Sequence, residues 1–102
     1  MAYARTTVLE LVKDRLDYLP EFTARDGRLL DRINGVVREL RRKGIEVEAG
    51  DSGEIAEIDD VLLVVDMVVW QHHNRDKGEA DPPWLRQRLR DRWIGERRVS
   101  RA

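Results

Sequence analysis

The clearest pattern in the chain is a stripe of apolar residues in its first half. These residues recur at helical spacing and are Leu29, Leu30, Ile33, Val36, Val37 and Leu40. Most of the positions between them are charged. An α-helix turns by about 100° per residue, so this spacing collects the apolar side chains on one face and the charges on the other. The pattern predicts an amphipathic helix with one buried side.

Local signals mark the two ends of this helix. Thr23 and Asp26 have the spacing of a capping box, in which each residue hydrogen-bonds the backbone near the other. Gly44 is the predicted C-cap, because glycine adopts the left-handed backbone conformation at little cost. Gly35 weakens the helix interior by about 1 kcal/mol relative to alanine, and we expect it to permit close packing there.

A similar pattern opens an earlier helix near the N-terminus. Thr7 and Glu10 form a second capping-box pair, and Pro20 is the expected end of the helix. The apolar residues between them again keep helical spacing, and they are Val8, Leu9, Val12, Leu16 and Leu19.

The segment after Gly44 has a different pattern. Residues 45–52, IEVEAGDS, alternate apolar and acidic positions and then turn. Alternation is typical of a β-strand, but no partner strand is evident in the rest of the sequence. A short strand and an extended loop are both consistent with it.

The next segment is apolar on nearly all sides. Val61 to Trp70 is rich in valine, which would also suit a buried strand. Its length, acidic start and polar end favour a buried helix instead. This helix is predicted to begin near Ile55 or Asp59 and to end near Lys77.

The last helix is introduced by Asp81, the predicted cap, with a proline at the first helical position. It is expected to reach about Arg98, with one side formed by Trp84, Leu85, Leu89, Trp93 and Ile94. The fold class is therefore all-α, a small bundle of about four helices with a short extended or irregular acidic segment between helices 2 and 3. Residues 1–98 form a single domain, and residues 99–102 form a tail whose order we expect to depend on assembly.

Composition narrows the possible environments of the chain. It contains no cysteine, which excludes disulfides and thiolate metal or redox sites. No apolar run is long enough to span a bilayer, and the N-terminus lacks the basic start and apolar core of a signal peptide. We expect a cytosolic product without membrane association.

The charges are unevenly distributed. From Trp84 onward there are seven arginines and two acidic residues, whereas eight acidic residues and no lysine or arginine lie between Gly44 and Met67. This division suits contacts between copies of the chain at least as well as DNA binding. The expected acidic partner surface consists of Glu54, Glu57, Asp59 and Asp60.

Asp66 is an acidic residue within the apolar helix. If it is buried, its carboxylate needs a partner, and an arginine from another helix or from a neighbouring subunit would serve. A position facing water is the alternative.

No residue pattern indicates catalysis or metal binding. Adjacent residues on a helix point about 100° apart, so His72 and His73 cannot hold one ion together, and no third ligand follows at a useful spacing. There is no nucleophile elbow and no glycine-rich phosphate loop. The sequence therefore predicts neither an enzyme nor a cofactor or metal site.

Nucleic-acid binding has more support from the last helix. Its arginines, with a tryptophan near each end, are suited to phosphate contacts and base stacking; they are Arg86, Arg88, Arg90 and Arg92. Alternate residues point about 200° apart, so these arginines divide between two faces. The tryptophans fall near Leu85 and Leu89, which favours a place in the core or in an interface.

Three short motifs, together with the order of the helices, resemble a known family. They are LVVD at 63–66 running into Trp70, NRDK at 74–77 and PWLR at 83–86. The chain resembles the small head–tail connector (head-completion adaptor) proteins of long-tailed bacteriophages and related prophage elements. The resemblance covers roughly residues 7–94.

The resemblance implies a structural adaptor without enzymatic activity or cofactor. Such a protein forms a cyclic ring, dodecameric in the particle, beneath the portal protein at the capsid vertex. The ring extends the DNA channel, contacts DNA without sequence specificity, and supports a stopper or tail-completion protein. The expected location is the head–tail interface of the virion, and the host cytoplasm during assembly.

The resemblance also assigns the C-terminal helix to portal and subunit contacts. The contact residues it implies are Trp84, Arg86, Arg90, Trp93, Arg97 and Arg98. A small DNA-binding or regulatory protein that uses the same arginine-rich helix is the alternative.

Overall fold

The computed structural model describes residues 2–49, 53–74 and 82–101, with side chains in the last range only as far as residue 94. These residues form four α-helices and no strand. They are α1 (Arg5–Arg15), α2 (Asp26–Arg42), α3 (Ile58–Asn74) and α4 (Pro83–Arg101). The predicted all-α bundle is confirmed.

The apolar stripes of α1, α2 and α3 face one another and form the core. The buried side of α2 carries Leu29, Ile33, Val36, Val37 and Leu40, as its spacing predicts. Helix α3 contributes more buried apolar residues than any other helix and is packed against both α1 and α2. Helix α4 adds Leu85 and Leu89 to this core, so within the described residues it is attached by a narrow apolar contact.

The ends of α1 differ from the prediction. The helix begins at Arg5 with Ala4 at the N-cap position, so Thr7 lies inside the helix and the first capping box is wrong. The helix ends at Arg15 because Asp17 adopts a left-handed conformation with φ 59°. Backbone N–H groups of Asp17 and Tyr18 then bond to the last turn of α1, which ends the helix before Leu19 and Pro20.

The start of α2 also lacks the predicted capping box. Arg25 is the N-cap residue and makes no side-chain cap bond. The carboxylate of Asp26 is instead directed at α1, with its Oδ1 atom 3.1 Å from Nζ of the buried Lys13. Lys13 also donates to the carbonyl oxygen of Pro20 at 3.0 Å. The side chain of Asp26, which the local pattern assigned to the cap, therefore forms a contact between helices instead.

The end of α2 is as predicted. Gly44 has φ 86°, and its N–H bonds to the carbonyl of Arg41 at 3.0 Å. The N–H of Ile45 bonds to the carbonyl of Leu40 at 2.9 Å, which completes a Schellman motif. Gly35 is different, because a Cβ atom placed there would meet nothing within 4 Å. The expected close packing at Gly35 is therefore wrong within the described part of the chain.

The segment after α2 is extended and pairs through single residues. Ile55 forms antiparallel bridges with both Glu48 and Tyr3, and its side chain is fully buried. The N–H of Tyr3 donates to the carbonyl of Ile55 at 2.7 Å, and the N–H of Ile55 donates back at 2.9 Å. The pairing partner that the sequence did not reveal is thus the N-terminus.

Helices α3 and α4 lie close to their predicted positions. Helix α3 is the buried helix expected from the valine-rich segment, and the predicted end at Lys77 and cap at Asp81 lie outside the described residues. Helix α4 begins at Pro83, and its backbone continues through Arg101, past the domain boundary predicted at residue 98. None of the described helices is long and apolar enough to cross a membrane.

Candidate functional site

Helix α4 lies antiparallel to α3, with its inner face fixed by two arginines. Nη1 of Arg88 bonds to Oδ2 of Asp66, and Nε of Arg92 bonds to Oδ1 of Asp60 at 2.7 Å. The later arginine binds the earlier carboxylate, so the two helices run in opposite directions. Leu85 and Leu89 lie on the same inner face and are buried.

The Arg92–Asp60 pair has the geometry of a bidentate ion pair. Besides the Nε contact, Nη2 of Arg92 donates to Oδ2 of Asp60 at 3.0 Å and to the backbone carbonyl of Glu46 at 3.3 Å. The side chain of Asp60 is 5% exposed. Planar, two-bonded pairs of this kind are among the stronger charged contacts in proteins. In this arrangement Asp60 is not available to a neighbouring copy, contrary to its expected place in the acidic partner surface.

Asp66 is bound by two arginines of its own chain. Its Oδ1 atom accepts from Nη1 of Arg15 at 2.8 Å, and its Oδ2 atom accepts from Arg88. The carboxylate is half-buried rather than fully buried. Of the predicted alternatives, pairing with arginine from another helix is the one found. Two helices supply such an arginine, α1 and α4. Asp66 therefore links three helices.

Much of the acidic segment is also neutralised within the chain. Arg41 bonds to Glu46 at 3.0 Å and to Glu48 at 2.9 Å, and Nη2 of Arg5 lies 3.3 Å from Glu48. The side-chain hydrogen bond with Glu46, followed by the two carboxylate charges, raises the pKa of Arg41 above its ordinary value. Arg41 thus holds the extended segment against the end of α2.

The other predicted acidic residues differ in their accessibility. Glu57 and Asp59 are exposed at the start of α3. Glu54 is half-buried and has contacts of its own. The expected acidic surface is thus reduced, in its exposed part, to Glu57 and Asp59.

The outer face of α4, defined here as Arg86, Arg90, Trp93 and Ile94, consists of exposed residues. Arg86 and Arg90 are one turn apart and exposed. Trp93 is 40% exposed and Ile94 39% exposed. Trp93 also lies beside the end of α2, since a Cβ atom placed on Gly44 would be 3.5 Å from its Nε1 atom.

The two tryptophans of α4 lie on opposite edges of the helix, so their predicted common side is wrong. Nine residues separate Trp84 from Trp93, which on an α-helix is about 180°. Trp84 is 44% exposed and borders a depression of about 330 Å³. The depression is lined by Asp66, Val69, Trp70, His73, Asn74 and Trp84.

A groove of about 390 Å³ follows the junction of α3 and α4 on the side away from the outer face. The groove, called here the α3–α4 groove, is lined by Asp59, Asp60, Leu62, Leu63, Arg88, Asp91 and Arg92. The leucines belong to α3, and Asp59 and Asp91 are exposed at its rim.

The histidines lie in an aromatic group at the far end of α3. The ring of His72 is 6.3 Å from that of Tyr18 and 5.6 Å from that of His73, and Tyr18 is 5.7 Å from Phe22. All three ring pairs meet edge to face. In the described part of the chain, no three His, Cys, Asp or Glu side chains are grouped as a metal ion requires.

The structure therefore separates the predicted contact residues. Arg86, Arg90 and Trp93 lie on the outer face of α4, Trp84 borders the opposite edge, and the side chains of Arg97 and Arg98 lie outside the described residues. The structural roles of Arg88 and Arg92 were missed. Their signal was present in the sequence, because they fall on the same helical face as Leu85 and Leu89.

The chain was compared with known protein families, proteins and structures. No protein-family model, curated protein or solved structure matches the chain.

Proposed function

We propose that this chain is a structural adaptor of a phage particle. It forms a cyclic ring beneath the portal at the capsid vertex, extends the DNA channel and joins the head to the tail. The observation that carries the proposal is the outer face of α4, a helix whose opposite side is already fixed to the core. The resemblance in sequence is the reason for proposing a phage particle as the assembly and the portal protein as the partner.

The composition of the outer face supports a role in protein binding. Arginine and tryptophan are enriched among the residues that dominate protein interfaces. Arg86 and Arg90 have no ion-pair or hydrogen-bond partner among the described residues, and Trp93 and Ile94 present apolar surface beside them. Exposed ion pairs contribute only about 0–1 kcal/mol each, so the two apolar side chains would supply much of the affinity.

The same geometry weakens the DNA-binding alternative. An arginine that contacts a phosphate must be able to reach the DNA, so it cannot also be held in an ion pair within its own chain. Arg88 and Arg92 are bound to Asp66 and Asp60, so α4 offers fewer arginines to a duplex than its sequence suggests. An adaptor that surrounds DNA needs little affinity for a free duplex.

The test is to mix the chain with the portal protein encoded beside it and to image the product by electron microscopy. We expect rings of the chain stacked on portal rings, and we expect Arg90→Glu to reduce the stacked fraction. Arg38→Glu is the matched control, because Arg38 is an exposed arginine on α2, outside the α4 surface. Absence of association at every concentration would reject the adaptor.

A salt titration with duplex DNA separates the alternative. Direct phosphate binding gives a log–log slope of about −0.9 per contact on B-DNA. We expect weak affinity for the free duplex by fluorescence anisotropy. Tight binding with a steep slope, combined with no portal association, would favour a DNA-binding protein.

A further inference from the structure

Two surfaces of opposite charge lie on different sides of α4. The outer face carries Arg86 and Arg90, and the α3–α4 groove carries Asp59 and Asp91 at its rim. Neither carboxylate neutralises these arginines within the chain. Asp91 follows Arg90 directly and lies five residues after Arg86, and neither spacing brings side chains together on a helix.

The charge of the groove follows from its ion pairs. Arg88 is matched by Asp66, and Arg92 is matched by Asp60. The two remaining carboxylates meet no cation among the described residues, because Asp91 accepts from the neutral amide of Gln87 at 2.9 Å and Asp59 is exposed to solvent. The rim of the groove is therefore negative by two charges.

The groove has apolar walls beneath its acidic rim. Leu63 is buried and Leu62 is half-buried, and both belong to the wall supplied by α3. A volume of about 390 Å³ admits large side chains from outside. The groove thus suits a surface that combines cationic and apolar side chains, and the outer face of α4 is such a surface.

We propose that the outer face of α4 in one copy docks into the α3–α4 groove of a second copy. Arg86 and Arg90 would pair with Asp59 and Asp91, and Ile94 would pack toward Leu62. This inference rests on the proposed function in assigning self-assembly to the chain, and it names the surfaces that meet.

The placement of the two surfaces determines the kind of contact. They face different directions on one helix, so a copy that docks by its outer face leaves its own groove open for another copy. A contact of this head-to-tail type repeats, and it gives a ring when the rotation between neighbours closes. The same helix would then take part in both interfaces of every subunit.

Charge reversal provides the test. One variant, Arg86→Glu/Arg90→Glu, has an acidic outer face and an acidic groove, and a second, Asp59→Lys/Asp91→Lys, has both surfaces basic. We expect each variant alone to lose about tenfold or more in association constant, since like charges then face each other. Mixed in equal amounts, the two should assemble with alternating subunits, because every contact again joins opposite charges.

The control is Arg38→Glu/Arg42→Glu, which reverses two exposed charges on α2 outside both surfaces. Assembly is measured by mass photometry and electron microscopy, with and without the portal, after circular dichroism has shown that each variant keeps its helices. The quadruple reversal provides a further check, because it exchanges the signs of both surfaces in one chain and should assemble alone.

The outcomes separate the docking from the proposed function. Rings that form equally well from every variant would keep the adaptor and overturn this docking. Assemblies that show the rescue but stop at dimers would keep the docking and overturn the ring. Wild-type chain that stays monomeric even with the portal would overturn both.

Discussion

Asp60 and Arg92 form the contact on which the position of α4 most depends. The side chain of Asp60 is 5% exposed and that of Arg92 is 24% exposed, so the carboxylate is much the more buried partner. Removing the guanidinium would leave that largely buried carboxylate without its cation. Breaking a buried pair costs about 3–5 kcal/mol and breaking an exposed pair less than about 1 kcal/mol.

We therefore expect Arg92→Ala to lower the free energy of unfolding by about 2 kcal/mol, between those limits. Arg92→Lys should recover part of this loss, because lysine keeps the charge but cannot form the two-bonded geometry. Arg90→Ala is the control and should change stability by less than about 0.5 kcal/mol. The measurement is urea denaturation followed by circular dichroism, and equal effects of Arg92→Ala and Arg90→Ala would contradict the assignment.

Two glycines, Gly35 within α2 and Gly44 just after it, should respond to alanine with opposite signs. Gly44 has a left-handed backbone, where an L-residue costs about 1–2 kcal/mol, so Gly44→Ala should destabilise the protein by about that amount. Gly35 is helical and has open space around its Cβ position, so Gly35→Ala should stabilise by up to about 1 kcal/mol. Thermal denaturation should show Tm shifts of several degrees in opposite directions. Shifts of the same sign would contradict this account.

At the scale of the elements, α4 differs from the other three helices in how it is attached. Helices α1, α2 and α3 supply most of the apolar core, whereas the described part of α4 adds only Leu85 and Leu89 to it and is otherwise held by two ion pairs and by the contact of Trp93 with Gly44. Segments with few buried apolar contacts open at lower free energy than the core. We therefore expect α4 to detach from the core at a lower free energy than the other three helices.

Hydrogen exchange should show this difference directly. We expect amide exchange in α4 to be faster than in α3, and Arg88→Ala/Arg92→Ala to accelerate exchange in α4 while α2 keeps its protection. Arg86→Ala/Arg90→Ala removes as many arginines from the outer face and should leave exchange in α4 unchanged in the free chain. Uniform acceleration across all four helices would mean that α4 unfolds only with the core.

The elements that sequence alone could predict were those governed by local spacing. The stripe of α2 and the left-handed Gly44 follow from helical periodicity and backbone sterics, and both were confirmed. The first capping box failed because α1 begins earlier, at Arg5, and the second failed because the competing contact of Asp26 is not local. Asp26 pairs with Lys13 of another helix, and the partners of Asp66 lie 51 and 22 residues away.

For the whole molecule, the charges that are separated along the sequence are partly paired with one another in the folded chain. The sequence places an acidic middle beside a basic end, which indicated contact between copies. The fold brings much of that charge together within one chain, through Arg41, Arg88 and Arg92. The charges that remain available to a partner are fewer, and they lie on either side of α4. The molecule measures 45 × 32 × 18 Å along its principal axes. Helical spacing places Arg88 and Arg92 on the inner face of α4, but no local pattern identifies Asp66 and Asp60 as their partners.

The positions of the aromatic residues give the unlabelled protein an optical probe. All three tryptophans lie on the last two helices, with Trp70 on α3 and Trp84 and Trp93 at opposite edges of α4. Displacement of α4 would separate Trp84 from the depression beside Trp70 and remove Trp93 from Gly44. Both indoles, which are already 44% and 40% exposed, would lose their remaining protein contacts, and the emission spectrum would shift further to the red. Intrinsic fluorescence therefore reports the docking of α4, while α1 and α2 contribute no tryptophan emission of their own.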